Sequence, residues 1–189
     1  MEINEDVANP APLGLGGFAL STFILNLVNS GLVAGGSLGI VMPMAIAYGG
    51  LAQLLAGMWE FRRNNIFGAT AFSSFGAFWI GLASFFFMDW AGIIADTPKE
   101  GIAIALIAWG IFTFYATIAS LREPTAITWI FITLTILFFL LAWGEFNPTV
   151  QKIAGYEGLV VAGIAWYSSA GVLINSMFGK TVLPLGESK

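Results

Sequence analysis

Residues 126–144 read AITWIFITLTILFFLLAWG, a run with no ionisable side chain anywhere along it. A helix rises about 1.5 Å per residue, so about 20 mostly apolar residues cross the roughly 30 Å hydrocarbon core of a bilayer. Arg122-Glu123-Pro124 stands before the run and Glu145-Phe146-Asn147-Pro148 after it, so charge and proline bound it at both ends. A helix that is apolar on every face is solvated by lipid or by other apolar helices, not by water. This stretch reads as a membrane span and sets the class of the fold.

Working outward from it, five more runs have the same character: residues 14–33, 39–59, 68–88, 101–121 and 156–178. Asn9-Pro10-Ala11-Pro12 precedes the first, where a helix tolerates proline. Glu60-Phe61-Arg62-Arg63-Asn64-Asn65 ends the second, and Asp89-Trp90 ends the phenylalanine-rich third. A loop with Asp96, Pro98, Lys99 and Glu100 leads into the fourth, and Asn147-Pro148 with a short polar stretch leads into the sixth. The composition agrees, with 58% hydrophobic residues and 10% charged against roughly 25% charged in a soluble domain. The expectation is an all-α membrane protein of six transmembrane helices over residues 14–178. Residues 1–13 form an N-terminal segment and residues 179–189 a solvated tail.

Lysine and arginine set the orientation, because cytoplasmic loops carry the excess. Arg62, Arg63, Arg122, Lys180 and Lys189 fall on one side, with Lys99 and Lys152 on the other. Both termini are therefore expected in the cytoplasm, with the chain a multi-pass protein of the cell membrane. A weak internal echo is also visible. Trp59-Glu60-Phe61 ends the second run, Trp143-Gly144-Glu145-Phe146 ends the fifth, and serine pairs Ser73-Ser74 and Ser168-Ser169 occur in the third and sixth. Such an echo is what two inverted three-helix halves would leave, an arrangement common in transporters.

Absences narrow the function. With no cysteine and no histidine, thiol nucleophiles, the usual metal ligands and histidine proton relays are excluded. The net charge of −4 offers no basic footprint for nucleic acid. No nucleophile with a base and no metal cluster assembles, so an enzyme, a cofactor and a bound metal are not expected. Movement of a small solute across the membrane is the chemistry that remains.

Polar groups inside spans are costly and face a partner or a water-filled path. At 100° per residue, Phe18, Thr22, Leu25 and Asn29 share a stripe with Asn26 on its flank, a candidate pore lining. Hydrogen bonding between packed helices is the competing reading. Gly49, Gln53, Gly57 and Glu60 share a face of the second span, where small residues suit close packing, Gln53 suits an interhelical hydrogen bond and Glu60 an interfacial ion pair with Arg62 or Arg63. Ser168 and Asn175 on the sixth span are equally consistent with packing. Glu60, Asp89, Glu145 and Glu157 all fall near span ends, so no mid-membrane carboxylate is expected to relay protons. Glu60 and Glu145 are the candidate proton sites if a side chain titrates at all.

The segment Asn9-Pro10-Ala11-Pro12-Leu13-Gly14-Leu15 resembles the signature of the acetate uptake transporter family, which includes the bacterial succinate–acetate permeases. Tyr48-Gly49-Gly50-Leu51-Ala52-Gln53, Ala56-Gly57, Glu60, Phe67-Gly68, Thr70-Ala71-Phe72 and Phe178-Gly179-Lys180-Thr181-Val182-Leu183-Pro184 extend the resemblance along nearly the whole chain. It implies a homo-hexamer in lipid, each protomer enclosing its own pore, that moves acetate and related small carboxylates such as succinate. The related acid-activated urea channels supply the alternative, a pore for a neutral solute such as urea or ammonia. A non-transporting membrane scaffold is the third possibility. In the permeases the pore narrows at one phenylalanine, one tyrosine and one leucine, which fall on Phe18, Phe75 and Leu134 here. Phenylalanine at position 75 departs from that pattern and makes the constriction wholly apolar. Ala165 matches a pore-side position beside the constriction.

Overall fold

The computed structural model describes residues 7–94 and 97–186. Asp96 and Lys189, used above for the loop and for the orientation, lie outside the described residues, as do residues 1–6. Six helices are long and apolar enough to cross a membrane: α1 (Ala11–Asn29), α2 (Gly35–Arg62), α3 (Ile66–Trp90), α4 (Lys99–Ser120), α5 (Thr125–Gly144) and α6 (Pro148–Phe178). No strand occurs among the described residues.

The ends of the helices show what starts and stops them. The Asn9 side chain accepts from Ala11 N at 3.0 Å and opens α1. That helix stops at Asn29, short of the expected residue 33, because Gly31 takes a left-handed φ of 77°. Asn65 caps α3 by accepting from Gly68 N at 3.1 Å. Asn147 caps α6, accepting from Thr149 N at 3.0 Å and Val150 N at 3.3 Å, with Pro148 in the first turn. The sixth helix thus begins eight residues before the expected position 156. The polar stretch holding Thr149, Gln151 and Lys152 is helical, and α6 spans about 46 Å.

Helix α2 is not uniform. A short α segment, Leu38–Met44, contains Pro43, and the turns after it, Ala45–Ala52, widen to a π-helix before Gln53–Arg62 returns to α. Pro43 has no N–H to give and its ring crowds the turn before it, and wide turns of this kind concentrate at functional positions.

The helices stand in a ring that follows chain order. Neighbours α1–α2, α2–α3, α4–α5, α5–α6 and α6–α1 pack extensively, while the α3 and α4 backbones barely approach. The closest seam is α1 on α6, where a Cβ on Gly155 would overlap the Ser30 backbone and one on Gly158 the Asn26 amide. Threonines tie α4 to α5: Thr117 Oγ1 lies 3.0 Å from Thr135 Oγ1, and Thr128 Oγ1 donates to Ser120 O at 2.6 Å. Aromatic rings fill the open α3–α4 seam, with Phe78–Trp109 centroids 5.1 Å apart, Phe75–Phe112 5.5 Å and Phe75–Trp109 5.9 Å. Packing is thus unequal between the two halves. An inverted relation would pair α6–α1 with α3–α4, and these are the tightest and the loosest seams of the ring.

The chain after α6 is not simply solvated, as the tail was expected to be. It folds back, Asn175 donating to Leu183 O at 2.8 Å and accepting from Val182 N at 2.7 Å and Leu183 N at 2.9 Å. Tyr167 donates to Pro184 O at 2.6 Å, and Ala126 N at the start of α5 donates to Leu185 O at 2.9 Å. Paired backbone and a buried notch at Gly171 for Leu185 make this strap more favourable than a free tail.

Candidate functional site

The N-terminal ends of α1, α3 and α5 gather on the face that carries the chain's first described residues. Among them opens a cavity of about 240 Å³. Asn9, Glu60, Arg63, Asn65 and Glu123 form its polar mouth, and Leu15, Ala71, Phe72, Ile130 and Phe131 line its apolar walls.

Two of the three asparagines at helix starts, Asn9 and Asn65, also build the mouth. Asn9 Oδ1, besides capping α1, accepts from Arg63 Nη1 at 2.9 Å. Arg63 Nη1 also meets Glu60 Oε2 at 3.2 Å, and Asn65 Nδ2 donates to the same oxygen at 3.0 Å. The expected ion pair of Glu60 is present, but the glutamate is fully buried rather than interfacial. Its Oε1 is buried without a hydrogen-bond partner among the described residues. Across the mouth, burial pushes the Glu123 carboxyl above the usual carboxylate range, and the negative charge of Glu60 pushes it the same way.

Deeper in, the cavity meets Phe18, Phe75 and Leu134, each at most 4% exposed. The Phe18 and Phe75 rings lie 5.6 Å apart, and all three residues belong to one buried cluster with Ala165. Phe75 is the hub of that cluster, with Trp109, Phe112, Phe131 and Phe138 at ring distances of 5.5–6.4 Å.

Of the polar side chains that line the cavity, Gln53 lies deepest. On α2, Gly49 packs against Ser21, beyond Phe18, and Gly57 packs against Ser73, on the mouth side of Phe75. Gln53 lies midway between those glycines, at the depth of the ring. It is 1% exposed, lines the cavity, and its amide oxygen has no hydrogen-bond partner among the described residues.

The other candidates lie elsewhere. Thr22, Asn26 and Asn29 continue the α1 stripe past Phe18, away from the mouth, and do not border this cavity. Their polar atoms are largely spent within α1 and on one bond to α6: Asn26 Nδ2 donates to Thr22 O at 2.8 Å, Asn29 Nδ2 to Asn26 Oδ1 at 3.1 Å, and Gln151 Nε2 to Asn29 Oδ1 at 3.4 Å. Thr22 Oγ1 alone of these is buried without a partner among the described residues. Glu145 stands at the opposite end of α5 from the mouth. Burial raises its carboxyl above the usual range, and the charge of Lys99 works against that.

Gln53, expected to hydrogen-bond between helices, makes no such bond among the described residues and lines the cavity instead, and sequence reasoning missed Glu123 and Trp109. The Gly49–Gln53–Gly57 spacing held the clue to the first, since glycines that pack on both sides leave the residue between them facing inward. Nothing in the local sequence marks the other two, which reach the site through helix placement.

Comparison with known proteins bears on this geometry. A model of the GPR1/FUN34/yaaH family matches residues 2–186. The Escherichia coli (strain K12) protein named succinate-acetate/proton symporter SatP is 41% identical over 187 residues, covering 98% of each chain. Acetate permease A of Emericella nidulans is 38% identical over 197 residues, covering 95% of this chain and 66% of that longer protein. A solved structure, described as that of the bacterial acetate channel SatP, superposes with a TM-score of 0.92 at 40% identity, over 96% of this chain and 100% of the other.

Proposed function

The chain belongs to the GPR1/FUN34/yaaH family, and from that premise we propose that it carries small carboxylates, chiefly acetate and also succinate, across a membrane through a pore of its own. One observation carries the reading to these residues: a polar-mouthed cavity that ends at the apolar ring of Phe18, Phe75 and Leu134. Three helix N-termini face the mouth, and their peptide dipoles favour an approaching anion there. At the ring a carboxylate loses hydration with little compensation, so a small solute passes more readily than a bulky one. Beyond the ring, Thr22 with its free hydroxyl is the next polar station, and Ala165 keeps the passage wide enough for an acetate-sized solute. No group in the site works as a nucleophile beside a base, so transport without chemistry is the reading.

Both termini lie in the cytoplasm in this account, and the cavity opens inward. The exposed face of α4 carries Ile104, Ile107, Ile111, Phe114 and Ile118, at alternating spacings of three and four. That is the pattern of a helix-to-helix seam, and it supports assembly of six protomers side by side. The test is flux of labelled acetate, succinate and urea into liposomes containing the pure protein, over a pH series. Acetate should enter fastest and urea no faster than in empty liposomes. Urea flux exceeding acetate flux would replace the reading with a neutral-solute channel.

A further inference from the structure

We propose that Gln53 recognises the substrate in its neutral acid form, through a cyclic pair of hydrogen bonds between its amide and the carboxylic acid group. This rests on the reading of the chain as a carboxylate transporter and specifies what the ring admits.

The observation is a buried amide left out of every polar contact around it. The hydrogen bonds of the mouth run among Asn9, Glu60, Arg63 and Asn65 and do not include Gln53. Its oxygen is buried with no partner among the described residues, yet the side chain faces the cavity at the depth of Phe18 and Phe75. A buried polar atom left unpaired is costly, so such a group is satisfied by whatever occupies the cavity.

The chemistry of the partner follows from what an amide lacks. The carboxamide presents one acceptor oxygen beside an N–H donor. A neutral carboxylic acid presents the complement, an O–H donor beside a carbonyl acceptor, and both bonds form at once. A carboxylate offers acceptors only. It would satisfy the N–H and set a negative oxygen against the amide oxygen, with the Glu60 carboxyl on the same face of α2. Arg63, the one guanidinium bordering the cavity among the described residues, is already joined to Glu60. The ring beyond is wholly apolar, so the proton that makes the pair also lowers the cost of crossing it. The proton stays on the substrate throughout, and no side chain gives or takes it.

The charged groups that face this cavity are Glu60 from α2, Arg63 from the turn after it and Glu123 from the α4–α5 connection, while α1, α3, α5 and α6 contribute none to its lining. A pH response could come from those carboxyls instead, and the experiment separates the sources.

Acetate uptake is measured in liposomes containing the wild-type protein or Gln53→Leu, at about pH 5 and pH 7, with acetamide or acetone as competitor. Acetamide offers the same paired donor and acceptor, whereas acetone has the shape and the acceptor without the donor. In the wild type, acetamide should slow uptake and acetone should not. Gln53→Leu should lower uptake near pH 5 about tenfold, the scale of two neutral hydrogen bonds with one buried group unpaired. Glu60→Gln and Glu123→Gln should keep the wild-type pH dependence once each is scaled to its own maximum. Equal effects of the two competitors, wild-type flux in Gln53→Leu, or a flattened pH profile in either glutamine variant would overturn the pairing. If the leucine variant does not fold, the competition on the wild type decides alone. Wild-type protein that moves acetate but ignores acetamide defeats only this inference, whereas protein that moves no carboxylate defeats the functional reading with it.

Discussion

Phe75 sits where aromatic side chains from three helices meet, and its position is fixed by contacts rather than by a hydrogen bond. Trp109 closes one side of that cluster from α4, 5.9 Å from the Phe75 ring and 5.1 Å from Phe78. Removing it leaves room for Phe75 to swing out of the ring. We expect Trp109→Ala to raise lactate uptake relative to acetate, measured as paired fluxes, and to lower the melting temperature. A second residue-scale expectation concerns Glu123. Its carboxyl titrates above the ordinary range, so the folded state holds its proton to higher pH than the unfolded chain does. That difference costs stability as pH rises through the two values, and the cost is absent below both. Glu123→Gln should therefore raise the melting temperature near neutral pH, with the gain vanishing in acid. Individual residues were the least legible part of the sequence. The ring came from resemblance and the polar stripe of α1 from helix arithmetic. Glu123 and Trp109 have neighbours that no local pattern encodes.

The helices were far more legible, because a run such as 126–144 has only one solvent that suits it. What sequence misjudged were the ends. The polar stretch with Thr149, Gln151 and Lys152 made the start of α6 look like a loop, yet one asparagine cap and a proline in the first turn suffice to begin the helix there. The tail's attachment was not legible either, since its composition is polar enough for water and its residues are mostly exposed, while Asn175 and Tyr167 hold its backbone in place. Leu185 O caps the first turn of α5, the helix that carries Leu134. Ending the chain after Lys180 should thus loosen α5 and lower the melting temperature, read alongside acetate flux. The α1–α6 seam is tighter still. Gly155→Ala would drive a Cβ into the Ser30 backbone and should cost roughly 1–3 kcal/mol, seen in thermal unfolding in detergent.

At the scale of the molecule, a ring of six helices with one loose seam has to be held closed. Aromatic packing across α3 and α4 does this from within, and a neighbouring protomer against the isoleucine face of α4 would do it from outside. Native mass spectrometry in mild detergent is expected to give hexamers, and monomers alone would contradict that arrangement. In the proposed orientation the solute would meet a polar mouth and then an apolar ring, so selectivity would follow size and hydration. On this account uptake should be faster in acid, since an acid with a pKa near that of an exposed glutamate, about 4.3, becomes neutral there. Glu145→Gln, far from the cavity, should leave the pH profile unchanged. The most direct test of the central claim is the ratio of lactate to acetate flux in liposomes containing Leu134→Ala. Widening an apolar ring by one leucine side chain should raise that ratio about tenfold over the wild type. An unchanged ratio, in protein that still moves acetate, would contradict the ring as the site of selection.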